Sequence, residues 1–149
     1  MESPDLEGWP GVLHREGRTL CRLARDPSES GTGPAAKGLD AVFHNPAMSG
    51  SRTRSVLLLQ HSIEAGLLGE GTIYALDGLS ASGLRARRWL NELPAQSAAR
   101  ISAAMGDMDP VALEWAMRCH EEFPPEHGEG KLLPHQGDLR KSVLEHGRH

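Results

Sequence analysis

The nineteen residues Thr72 to Leu90, TIYALDGLSASGLRARRWL, constrain the fold more than any other part of this chain. They open with the apolar run Thr72-Ile73-Tyr74-Ala75-Leu76, whose β-branched and aromatic members predict a buried strand. The run stops at Asp77, passes through the small-residue loop Gly78-Leu79-Ser80-Ala81-Ser82-Gly83, and enters a helical pattern. Strand, tight loop, then helix is the opening βα unit of a nucleotide-binding sheet, in which the helix N-terminus offers free N–H groups to a polar ligand. Taken alone, the loop fits an ordinary βα turn better than a nucleotide site.

The flanking sequence supplies the rest of such a sheet. Upstream, Gly11 to Leu23 holds two short apolar runs about a Glu16-Gly17 turn, which predicts a β-hairpin; Met1 to Pro10 reads as a frayed start. Asp26 to Gly38 is rich in Pro, Gly and Ser and reads as a loop. Asn45-Pro46 marks an extended or turn segment, and Ser49 or Ser51 is placed to cap a helix reaching about Leu68. Val56, Leu59, Ile63 and Leu67 form its expected buried stripe, with Arg52, Arg54 and Glu64 off it. Downstream, the helix after Gly83 should end before Pro94, with Ala95 to Ala99 a loop and Ile101 to Met105 a strand. Asp109 as N-cap and Pro110 in the first turn predict a helix to Glu122. A third strand segment then leads from Lys131 to Gly137-Asp138-Leu139, and Lys141 to His149 reads as a charged tail.

At 149 residues the chain has about one domain's length, although six aromatic residues are a thin supply for a core. The organisation expected is a hairpin and linker over residues 1–40, followed by a partial Rossmann-like unit over 41–149. The net charge of −4 gives no sign of a protein that coats nucleic acid. Two cysteines form no disulfide framework, and no apolar run of membrane-spanning length or signal pattern occurs, so a soluble cytoplasmic protein without a membrane partner is expected. The eight histidines lack metal-ligand spacing; His120, His127, His135, His146 and His149 are expected at the surface, and no metal is expected. Trp89 and Trp115 read as core.

From Thr72 the pattern is β–α–β–α–β, each strand ending in a loop with an aspartate: Asp77, Asp107, Asp138. Doubly wound sheets bind ligands at those strand ends. A carboxylate after the second strand suits the paired hydroxyls of a ribose, which it accepts as a fork.

Three motifs then resemble one family in order and spacing. Asn45-Pro46-x-Met48-x-x-x-Arg52 resembles the N-P-x-M-x-x-N-R-D motif of archaeal and eukaryotic tRNA guanine-26 N2-dimethyltransferases. Leu76-Asp77-Gly78-Leu79-Ser80-Ala81-Ser82-Gly83-Leu84-Arg85-x-x-Arg88 is similar to its L-D-A-L-S-A-T-G-I-R-G-x-R, and Gly106-Asp107-Met108-Asp109-Pro110-x-Ala112 to its N-D-I-S-P-x-A. The resemblance covers about Leu13 to Leu139. It implies a class I methyltransferase fold, S-adenosyl-L-methionine (AdoMet) as cofactor, and methylation of a guanine exocyclic amine in tRNA, which is the implied partner. Carried over, it implies Arg52 and Arg85 near the methionine carboxylate, and Asp77 and Gly83 shaping the loop beneath the methionine moiety. Asp107, with Met108 beside it, would lie at the ribose, and Asp138 with Leu139 at the adenine.

This sequence departs from the family at Ser51 and Thr53, where Asn and Asp are usual, at Gly78, and at Gly106. It also has no D-P-F-G, the family's catalytic motif. The expectation is therefore the cofactor-binding front half of a longer enzyme, inactive alone. A non-catalytic nucleoside- or partner-binding module, or a methyltransferase for another substrate, remain alternatives.

Overall fold

The computed structural model describes residues 6–29 and 41–146. The expected loop beyond Glu29, the first five residues and His149 therefore lie outside the described residues. An antiparallel hairpin, β1 (Val12–Glu16) and β2 (Thr19–Leu23), comes first, paired from Val12↔Leu23 to Glu16↔Thr19. After a 3₁₀ turn (Pro46–Met48) comes α1 (Ser49–Glu64). There follow β3 (Ile73–Asp77), α2 (Leu84–Glu92), the single turn α3 (Ala95–Ala98) and β4 (Ile101–Asp107). The chain continues as α4 (Pro110–Glu122), β5 (Lys131–Gln136) and α5 (Leu139–His146). β3, β4 and β5 form a parallel sheet in that order, with Ala75↔Ala103 and Ala103↔Leu132 in register. This is the α/β, Rossmann-like architecture that the sequence predicts.

Strand alternation decides which side is covered. Ile73, Ala75, Ile101, Ala103, Met105 and Leu132 point to one face, where Val56 of α1, Trp89 and Leu90 of α2, and Leu113 and Ala116 of α4 close over them. The opposite face carries Tyr74 and Leu133, 61% and 49% exposed. A second cluster joins the hairpin to the helices through Cys21, Leu23, Leu84, Trp115 and Cys119. Trp115 is 1% exposed and donates its indole N–H to the Arg22 carbonyl at 2.8 Å, which satisfies the polar end of an otherwise apolar side chain.

Several local expectations change. Leu6 and Trp9 are not frayed: they pack on the second cluster, and the Trp9 ring meets Trp115 edge-on at 5.1 Å. α1 ends at Glu64, not Leu68, because its chain turns at Ala65 and Gly66; Leu67 is 69% exposed. Neither Ser49 nor Ser51 caps it: Asn45 caps the preceding 3₁₀ turn by accepting from Ala47 N–H. Arg52 lies one turn before Val56 on the same stripe and is 8% exposed, so it is not off the buried face. The Ala95–Ala99 segment forms the short helix α3, since Pro94 fixes an extended entry and Ala98 and Ala99 N–H return to Pro94 and Ala95 carbonyls. The charged tail forms α5 as far as His146 and leans on β3 and β4. His120, His127 and His135 are half-buried, not surface groups. Asp109 caps α4 as predicted, accepting from Val111 N–H at 2.9 Å.

Candidate functional site

The loop after β3 is built by carboxylates and one glycine. Asp77 is 8% exposed and accepts N–H bonds from Leu79 and from Ala86 in the first turn of α2, so it ties strand to helix. Burial raises its carboxyl above the usual range; the Arg85 charge opposes that shift and the nearby Asp107 adds to it. Gly83 caps α2 in the left-handed conformation (φ +69°), and a Cβ there would press on Ala116 Cβ and Met105 Sδ, each at 2.6 Å. Glycine alone fits, which holds the start of α2 close against β4 and α4.

Asp107 closes the second loop onto the first. One oxygen accepts from Ala81 N–H at 2.8 Å and the other from Asp109 N–H at 2.9 Å. Each oxygen keeps a lone pair beyond those bonds, so a paired hydroxyl donor remains chemically acceptable. Met108 beside it is 71% exposed. Asp138 is held by its own helix: Arg140 binds both its oxygens at 3.0 Å, and this pairing lowers the carboxyl to about 2. Leu139 sits over Gly78, with its Cδ1 in the space a Cβ would need. Residue 78 is thus small because α5 crosses there.

Between this loop and the start of α1 lies a cavity of about 130 Å³, lined among others by His44, Asn45, Arg52, Asp77, Ser80 and Arg85. The structure therefore brings Arg52, Asp77 and Arg85 to one cavity, with Gly83 setting the helix end behind it. Asp107, Met108, Asp138 and Leu139 lie at the ends of β4 and β5 and do not line that cavity.

The two arginines differ sharply. Arg85 donates to the Ser51 carbonyl and hydroxyl, each at 3.2 Å, and makes no ion pair among the described residues. Arg52 gives Nε and one Nη2 hydrogen to the Glu16 carboxylate, both at 2.7 Å, and another to the Asn45 carbonyl. Glu16 also accepts from Arg88 at 3.1 Å, and Arg88 grips Glu92 with Nε and Nη2. Glu92 in turn accepts from Thr19 Oγ1. Burial pushes the Glu16 carboxyl up, but the Arg52 bond and the Arg52 and Arg88 charges outweigh it and leave it lowered. Gly17 (φ +58°) turns the hairpin directly over Glu92 and Arg88, where a Cβ would collide with both.

The central arginines are accordingly not a basic surface: Arg52, Arg87 and Arg88 are 8%, 0% and 3% exposed. Arg87 donates to the Phe123 carbonyl at the end of α4, a helix end that favours a cation. Glu16 and His44 escaped the sequence reading. The signal for Glu16 was Arg52's place on a buried stripe, which demands a counter-charge.

Ligating atoms of His14, Glu16 and His44 lie within 4.8 Å of one another. The Glu16 oxygens there already serve two guanidinium groups, so the cluster is poorly suited to a divalent cation. Among the described residues no helix is long and apolar enough to cross a membrane.

No curated protein matches the chain. The family model for N2,N2-dimethylguanosine tRNA methyltransferase matches residues 30–121, well over half of its length, spanning α1, β3, α2, β4 and nearly all of α4. The loops after β3 and β4 and the arginine-lined cavity thus belong to a methyltransferase-related sheet, and the chain is a member of the N2,N2-dimethylguanosine tRNA methyltransferase family.

Proposed function

We propose that this chain is the AdoMet-binding portion of a tRNA guanine N2-methyltransferase. The observation that carries the reading is Arg85, a half-buried guanidinium that bonds no carboxylate among the described residues, lining a cavity beside the β3–α2 loop. Its free donors suit the carboxylate of the cofactor's amino-acid end, and the remaining lone pairs of Asp107 suit the ribose hydroxyls. Asp138 and Leu139 are proposed at the adenine, although Arg140 and Gly78 already engage them. AdoMet supplies an activated methyl group; the protein's part is to bind and orient it.

The 149 residues hold no D-P-F-G, the catalytic motif of the family that this sequence resembles, and we propose that this chain alone does not methylate tRNA. Calorimetric titration of S-adenosylhomocysteine (AdoHcy) tests the cofactor reading, with Asp107→Asn as the control. Binding that the substitution weakens supports it. A folded chain that does not bind AdoHcy favours the non-catalytic module. Methyl transfer to tRNA by the purified chain would overturn the proposal of inactivity.

A further inference from the structure

We infer that Glu16, on the N-terminal hairpin, is a positioning residue for the ligand cavity and acts by aiming Arg52. The inference rests on the AdoMet reading above and assigns a role to a hairpin that lies outside the matched segment.

Three observations carry it. Glu16 takes the Nε–Nη2 edge of Arg52 as a fork at 2.7 Å, which fixes the guanidinium plane as a single bond would not. Nη1 of Arg52 then has no partner among the described residues, while Arg52 itself lines the cavity with Arg85. Finally, Glu16 is itself held: Arg88 bonds it from α2, and Gly17 seats the turn against Glu92 and Arg88.

Two acids and two arginines make this network neutral, so Arg52 contributes direction more than charge. An arginine side chain has much rotamer entropy to lose on binding, and one locked beforehand loses little. Arg85 then supplies charge and Arg52 a preset donor, both toward an anionic group such as a carboxylate.

The test compares AdoHcy with 5′-methylthioadenosine, which lacks the amino-acid arm, by calorimetry on the full chain. Glu16→Gln should weaken AdoHcy about tenfold, the scale of one charge-assisted hydrogen bond, and leave methylthioadenosine unchanged. In an Arg52→Ala background Glu16→Gln should cause no further loss. Glu16→Asp, which keeps the charge but retracts the carboxylate by one methylene, should show the same selective loss if Glu16→Gln does not fold. Equal weakening of both ligands, or AdoHcy binding unchanged or tightened, overturns the role of Glu16 while leaving the cofactor reading intact. Failure of the folded wild-type chain to bind either ligand overturns both.

Discussion

Two clusters of charge meet at α1 and α2 and obey different rules. Beneath the hairpin, Glu16, Arg52, Arg88 and Glu92 are almost fully paired with one another. At the strand ends, Asp77, Asp107 and Arg85 bond chiefly to backbone and to Ser51, leaving unpaired donors, lone pairs and a cavity. Closed networks hold a fold together, whereas open ones leave capacity for something else. Arg52 and Arg85 look alike in sequence, both arginines of a methyltransferase-like motif, yet they fall on opposite sides of that divide.

The sharpest way to break the comparison is to open the closed cluster. Glu16→Ala leaves the buried Arg52 guanidinium without its carboxylate and takes one of the two that Arg88 holds, and should cost about 3–5 kcal/mol in urea unfolding. A loss near zero would mean that solvent already screens the network. Next comes Gly17→Ala, which puts a methyl group against Glu92 and Arg88 at a positive φ and should cost more than about 1 kcal/mol by the same measurement.

These two positions also show how much was legible. Hairpin, sheet, α2 and the Asp109 cap could be read because local signals and tertiary packing agree there. The partner that makes the burial of Arg52 possible could not, since it is 36 residues away in sequence. A charged residue reads as surface until the distant counter-charge is known. α5 and α3 were missed for another reason: at eight and four residues each is too short to show a clear helical period, and each is set by what it packs on. Of the site residues, Asp77, Arg52 and Arg85 do share a cavity, while Asp138 turns to Arg140, a pairing that sequence spacing alone does not reveal.

A pH titration sharpens the comparison from between the clusters. Burial, aided by the Arg52 and His14 charges, lowers His44 from its usual 6.5 to about 4. The unfolded chain then binds more protons than the folded one between those values, so this contribution is complete above pH 6.5 and fades as pH falls toward 4. The slope is at most about 1.4 kcal/mol per pH unit. His44→Phe should flatten thermal stability across that window, and an unchanged pH profile would show the ring to be solvated. The smallest effect is expected at Arg140→Ala, whose exposed pair with Asp138 should leave the melting temperature where it was.

The most direct measurement is the melting temperature of the wild type and of Arg85→Ala, each with and without saturating AdoHcy. Without ligand Arg85→Ala should melt only slightly below the wild type, because Arg85 makes two long bonds to Ser51 and acts on Asp77 through charge alone. AdoHcy should raise the wild type by several degrees, as a ligand specific to the folded state must, and leave Arg85→Ala unmoved. A wild-type chain that melts cooperatively and ignores AdoHcy would contradict the account.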